Sequence, residues 1–137
     1  MARLERTACL GNCPMYKLTV FSDGQVEFVG EQFVKVKGKA QGQLTPQQLK
    51  ALQDAFRDSG YFDLKGNFGC YEMTDHPWAH TEYSDGARRR KIEHYHGCGS
   101  VKQGATLTKL EDQIDQITNS VRWLGTESER DQNRGKW

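Results

Sequence analysis

Apolar and polar positions alternate along the first third of the chain, and that alternation predicts a β-hairpin. Tyr16, Leu18 and Val20 fall on one side of an extended segment, with Lys17 and Thr19 on the other. Asp23-Gly24 supplies the left-handed backbone of a tight turn, after which Val26 and Phe28 resume the apolar side. Phe33 to Lys37 reads as a third strand, with Val34 and Val36 inward and lysines outward, where they discourage pairing between molecules. Gly38 to Gly42 reads as a loop.

The period then changes. Thr45 caps, Pro46 suits the first helical position and Gln48 completes a capping box, so a helix starts here. Leu49, Leu52, Ala55 and Phe56 share its apolar face, Ser59-Gly60 ends it, and Tyr61, Phe62 and Leu64 close the core beneath. Residues 65–77 are irregular. Trp78 to Tyr83 and Ala87 to Tyr95 form the arms of a second, more polar hairpin around Ser84-Asp85-Gly86. After a loop over 97–104, Leu107, Leu110, Ile114, Ile117 and Val121 recur at helical spacing. The pattern ββ(β)α–ββα predicts a two-layer α+β domain over 1–124. Its antiparallel sheet has four or five strands, with two helices on one face, and a polar, disordered tail follows over 125–137.

Composition supports this reading. Among 137 residues, 36% are apolar and 27% charged, as expected of a single sheet with a polar outer face. A net charge of +1 gives no overall field for nucleic acid, and no apolar run is long enough to span a membrane. The opening Met1 to Cys9 has neither the apolar core nor the cleavage site of a signal peptide, although a leader removed earlier would leave the same start.

The four cysteines, Cys9, Cys13, Cys70 and Cys98, allow three connectivities. In an oxidising compartment the natural pairs are Cys9 with Cys13 and Cys70 with Cys98, the longer loop constraining the unfolded chain by roughly 3–4 kcal/mol. In a reducing one they would be thiols or metal ligands. Cys9 and Cys13 precede a strand and are one residue too far apart for a redox pair, and no second pair completes a zinc site, so a structural staple is the better account.

The run Arg6 to Tyr16, Arg-Thr-Ala-Cys-x-Gly-x-Cys-Pro-x-Tyr, followed by Ser-Asp-Gly, resembles a family of uncharacterised bacterial domains often found in secreted or lipid-anchored proteins. Thr74-Asp75-x-Pro77, His94-Tyr95-x-Gly97-Cys98 and the closing helix to Trp123 are similar too, so the likeness covers residues 5–124. The resemblance implies paired cysteines and an extracytoplasmic location, and it brings no catalytic residues.

Three groups of residues are candidates for chemistry. His94 and His96 lie two apart on a strand and share a face, and His80 sits on the arm that pairs with theirs. With Asp75 nearby, such a set suits copper or zinc, against the plainer reading of histidines on a solvated face. Arg88 to Lys91 alternates faces, so at most two of these cations meet one anion. Ser22 and Ser84 are turn residues outside any nucleophile elbow, and Asp75 and His76, as sequence neighbours, rarely face one another. Glu111 and Asp115 fall on the exposed side of the last helix, and Gly38-Lys39 lacks the spacing of a phosphate loop. The reading that results is a small, disulfide-stapled extracytoplasmic binding module without catalysis or cofactor. Its recognition surface is the second hairpin, with Trp78, Tyr83, Arg90 and His94 exposed. Its partner is a protein, a glycan or a small anionic ligand, and nucleic acid is disfavoured. The alternative is a copper or zinc protein using His80, His94 and His96 with Asp75.

Overall fold

A computed structural model describes residues 1–7, 13–64, 67–68, 78–95 and 102–125. The strands are β1 (Ala2–Arg6), β2 (Met15–Val20), β3 (Gln25–Gln32), β4 (Gly38–Gln43), β5 (Asn67–Phe68), β6 (Trp78–Ser84) and β7 (Arg89–Tyr95). The helices are α1 (Pro46–Asp58), α2 (Lys102–Thr118) and α3 (Val121–Leu124), and a short 3-10 turn covers Tyr61–Asp63. The architecture is α+β, as the hydrophobic pattern predicts, but the sheet is larger. Seven strands run in the order β4-β3-β2-β1-β6-β7-β5, all pairs antiparallel except the two-residue β5, which runs parallel to β7.

Both expected hairpins form. In the first, Gly24 takes φ +87° and the Asp23 side chain accepts from the Gln25 amide, which closes the turn. The register Leu4↔Leu18, Leu18↔Phe28 and Leu4↔Thr81 gathers the apolar residues of four strands on one face. That face packs against α1, α2 and α3. Leu4, Phe28, Phe56, Ile92, Leu107 and Ile114 are almost fully buried there, each worth about 1.5–3 kcal/mol relative to exposure. At the start of α1, the Thr45 hydroxyl accepts from the Gln48 amide at 3.1 Å and the Gln48 side chain accepts from the Thr45 amide at 2.8 Å. This is the expected capping box.

Three expectations need correction. Ala2–Arg6, in which no strand is predicted, is β1 in the middle of the sheet, flanked by β2 and β6. Residues 33–37 are bends rather than a strand, because Lys35 and Val36 give their amides to the carbonyls of Leu124 and Trp123 instead of to a neighbouring strand. Their chain crosses so close to β3 that a Cβ on Gly30 would run into the Val36 carbonyl oxygen. The strand forms one step later as β4, in the stretch expected to be a loop. Finally, Asn119 at φ +53° ends α2, so α3 turns away. Val121 is left 60% exposed, while Trp123 and Leu124 are buried, Trp123 stacking on Phe28 at 5.1 Å. Of the expected tail, 125–137, Gly125 is buried and caps α3 by donating its amide to the Val121 carbonyl, and 126–137 lie outside the described residues. No helix among the described residues is long and apolar enough to cross a membrane.

Candidate functional site

Arg6 on β1 and Tyr16 on β2 are direct cross-strand partners, so both side chains rise from the same face toward α2. Glu111 and Asp115, one helical turn apart on α2, meet them. The Tyr16 hydroxyl donates to Asp115 at 2.8 Å and accepts from Arg6 Nε at 2.9 Å. Arg6 Nη2 reaches Asp115 Oδ2 at 3.0 Å, and the guanidinium also faces Asp112 at 3.6 Å and Glu111 at 3.9 Å. Ser120 donates to Asp115 Oδ1 at 2.6 Å. From β7, His94 Nδ1 lies 2.8 Å from Glu111 Oε2, with both side chains buried.

The electrostatics of this cluster favour holding over reacting. Burial pulls the Arg6 guanidinium toward its neutral form, but contact with Tyr16, Asp115 and Glu111 outweighs this and leaves its pKa raised. Burial, then the charge of Asp115, pushes the Tyr16 phenol well above its ordinary value. A phenol that donates a hydrogen bond to a carboxylate and keeps its proton is neither base nor nucleophile. The arrangement fastens α2 to the centre of the sheet.

The other end of β1 is open. A cleft of about 910 Å³ lies between α1, the 3-10 turn and the turns of both hairpins. In its wall Phe56 stacks on Tyr83 at 4.2 Å, and Tyr61, whose hydroxyl donates to Thr81 at 3.0 Å, packs edge-on against Phe56. The Arg88 guanidinium lies over the Phe62 ring, 4.1 Å from its centroid. Asp85 shapes this rim by accepting from the Arg88 and Ala87 amides, which holds its carboxyl below the usual range. Arg90 steadies the floor by donating to the carbonyls of Phe62 and Leu64. Phe21, 38% exposed, stands at the cleft with no aromatic partner among the described residues. Of the side chains around it, Lys50, Arg57 and Arg88 are matched in number by Asp54, Asp63 and Asp85, and the Met1 ammonium, which donates to the Ser84 carbonyl at 3.2 Å, also lines the cleft.

The predicted site residues do not assemble as expected. The register pairs His80 with Glu93 and Ala79 with His94, which puts His80 and His94 on opposite faces of the sheet. Their imidazoles cannot share one ion. His96 and Asp75 lie outside the described residues, among which no group of three His, Cys, Asp or Glu side chains could hold a metal. The proposed exposed surface is also corrected. Tyr83 is 9% and His94 4% exposed, and Trp78 and Arg90 are half-buried. Trp78 and Tyr83 differ by an odd number of positions on one strand and must face opposite ways. Trp78 lies parallel to His80 on the outer face, 6.0 Å between ring centroids.

The basic run disperses. Arg88 covers Phe62, Arg89 pairs with Glu82 at 2.6 Å, Arg90 turns inward and Lys91 is exposed. The hydrogen bond from Arg89 is the main reason the Glu82 carboxyl sits below its ordinary range. Glu111 and Asp115, expected on an exposed helix face, are fully buried and four-fifths buried. Cys9, Cys70 and Cys98 lie outside the described residues, whereas Cys13 is disulfide-bonded. Residues 2–118 match the family described as a domain of unknown function, DUF6438, and the chain belongs to that family. No curated protein matches the chain.

Proposed function

We propose that this member of a family without an assigned activity is a binding module that acts without catalysis or cofactor, and that its ligand enters the cleft beside α1. The observation that carries this reading is the cleft itself: the described part of the molecule is open here, over aromatic walls, with Phe21 unstacked. The buried cluster of Arg6, Tyr16, Asp115, Glu111 and His94 supports it from the other side, since those groups are engaged with one another and turned away from solvent. A concave site with apolar walls and a few polar groups suits a small ligand or the side chains of a short peptide. Because the rim side chains carry as many cations as anions, the ligand is neutral or zwitterionic with one apolar face, rather than a strong anion. The recognition surface thus moves from the outer face of the second hairpin to the inner side of its turn.

The module is extracytoplasmic in this proposal, stapled by Cys9–Cys13 and Cys70–Cys98. The disulfide at Cys13 and the resemblance to secreted or lipid-anchored domains support that placement. Alkylation of the unfolded protein before and after reduction, read by intact mass, checks it: free alkylation of all four cysteines would contradict the staples.

A fragment library screened by saturation-transfer NMR tests the cleft. Fragments with an apolar face and a polar edge should bind, and Phe21→Asp should abolish their binding while the chain stays folded, because Phe21 stands outside the buried core cluster. Undiminished binding by Phe21→Asp overturns the assignment. Stoichiometric copper or zinc retained after incubation and desalting would overturn the metal-free reading.

A further inference from the structure

We infer that the cleft beside α1 takes a short free peptide of about four residues, extended along the helix, with its carboxylate at Lys50 and its ammonium at Asp63. This rests on the reading of the cleft as the binding site and names the ligand class. Charge selects it. Arg57 Nη2 lies 3.1 Å from Asp54 Oδ1 and Arg88 Nη2 lies 3.4 Å from Asp85 Oδ2, so these rim side chains answer one another. Lys50 and Asp63 are left over. Both are exposed on the rim, and neither forms an ion pair among the described residues. Lys50 stands four residues before Asp54, the spacing at which helical charges meet, but Asp54 is taken by Arg57.

The two leftover charges sit at opposite ends of the cleft. The Leu44 amide donates to the Gly24 carbonyl at 2.8 Å and the Gln43 side chain to the Asp23 carbonyl at 2.9 Å. These bonds hold the first hairpin's turn, with Phe21 and Ser22, beside the start of α1 and so on the Lys50 side. At the other end, the Arg88 guanidinium over the Phe62 ring holds the second hairpin's turn against the 3-10 turn that carries Asp63. From Lys50 to the end of α1 at Asp58 the helix rises about 12 Å. An extended chain of four residues covers about 13 Å. A single amino acid, with its two charges one residue apart, is too short to meet both ends. A neutral sugar would leave both unanswered.

Between the ends the cleft offers what a peptide backbone needs. Gln53, about 4.5 Å beyond Lys50 along the axis, lines the cleft and is exposed. Its amide forms no hydrogen bond among the described residues, which leaves one donor and one acceptor for a peptide group. The Met1 ammonium enters between the two hairpins and donates to the Ser84 carbonyl at 3.2 Å, and its remaining hydrogens suit a peptide carbonyl. Apolar side chains of the ligand meet the aromatic wall, with the last residue against Phe21.

The test is a titration of the 15N-labelled full chain with the tetrapeptide Ala-Leu-Ala-Leu in four forms: free, N-acetylated, C-amidated and blocked at both ends. The free form should shift the amides of Lys50, Gln53 and Asp63, and blocking either end should weaken binding about threefold to fivefold. Lys50→Gln should weaken binding of the free form and erase the difference between the free and C-amidated peptides. Asp63→Asn should do the same for the free and N-acetylated peptides. Both side chains are exposed, so the variants should keep the wild-type amide spectrum away from the cleft. Equal binding of the doubly blocked peptide, or variants that keep both blocking effects, overturns the proposal. Fragments that bind the cleft where no form of the peptide binds at millimolar concentration overturn it too, and leave the cleft as the binding site. Failure of fragments and peptides alike overturns the cleft reading itself.

Discussion

Replacing Asp115 by alanine should unfasten α2 from the sheet. Three donors lose their acceptor at once: Arg6 Nη2 at 3.0 Å, the Tyr16 hydroxyl at 2.8 Å and the Ser120 hydroxyl at 2.6 Å. Removing one partner of a fully buried ion pair costs about 3–5 kcal/mol, because the other charge stays buried. Here the Arg6 and Asp115 side chains keep 20% and 19% exposure, and Asp112 at 3.6 Å and Glu111 at 3.9 Å retain part of the attraction. The expected loss is therefore about 3 kcal/mol, or a fall in melting temperature of about 10 °C for a domain of this size. Tyr16→Phe deletes only the hydroxyl that links Arg6 to Asp115 and should cost about 2 kcal/mol. Since both variants break the same bonds, the double variant should be less destabilised than their sum by at least about 1 kcal/mol. Urea and thermal denaturation followed by circular dichroism would measure all three. A site kept for chemistry is commonly a strained one, and its loss leaves stability unchanged or raised. An Asp115→Ala protein within about 0.5 kcal/mol of wild type, or strict additivity with Tyr16→Phe, would refute the fastener.

Gly30→Ala should destabilise by roughly 2–3 kcal/mol, since its methyl group meets the Val36 carbonyl and the Val34 side chain, and 33–37 must lift to admit it. Denaturant melts check this, and a change near zero would mean that the crossing segment is not held. Glu82 has a carboxyl pKa lowered mainly by the hydrogen bond from Arg89. Its contribution is thus present above the unfolded value of about 4.3 and lost as pH falls through the lower folded value. The gap in melting temperature between wild type and Glu82→Gln should therefore close on acidification, and a constant gap would contradict it. Burial pushes the Tyr61 phenol up to about 12 and raises Tyr16 further. Groups raised in this way contribute fully below about pH 10 and lose the contribution as pH rises toward the folded values. Stability should fall above pH ~10, and a tyrosinate absorbance titration should show these phenols ionising only as the protein unfolds.

The elements that could be read in advance are those whose signals are local. Asp23-Gly24, the Thr45–Gln48 capping box and Ser84-Asp85-Gly86 each specify their structure within a few residues, and each is present. β1 was hidden because its five residues carry three charges, and only its neighbours β2 and β6 reveal that Ala2 and Leu4 are core. The shift from 33–37 to β4 is a tertiary override: in a stretch whose valines have strong β preference, Lys35 and Val36 gave their amides to α3, and a glycine-rich stretch of weak preference took the edge. In the buried cluster, Glu111 stands four residues after Leu107 and three before Ile114, inside the apolar stripe, and a carboxylate there asks for a buried partner. That signal was legible. Arg6, Tyr16 and His94 as its partners were not, because they come from three strands that only the folded sheet brings together.

The most direct test of the central claim is an amide-resolved NMR map of any fragment that binds the full chain. The account predicts that shifts concentrate at Ser22, Gln53, Asp63 and Gly86, the backbone positions around the cleft. Shifts centred instead on Arg6, His94 and Glu111 would place recognition at the buried cluster, and shifts on Glu5, His80 and Glu93 would return it to the outer face of the sheet. Either result would contradict the account.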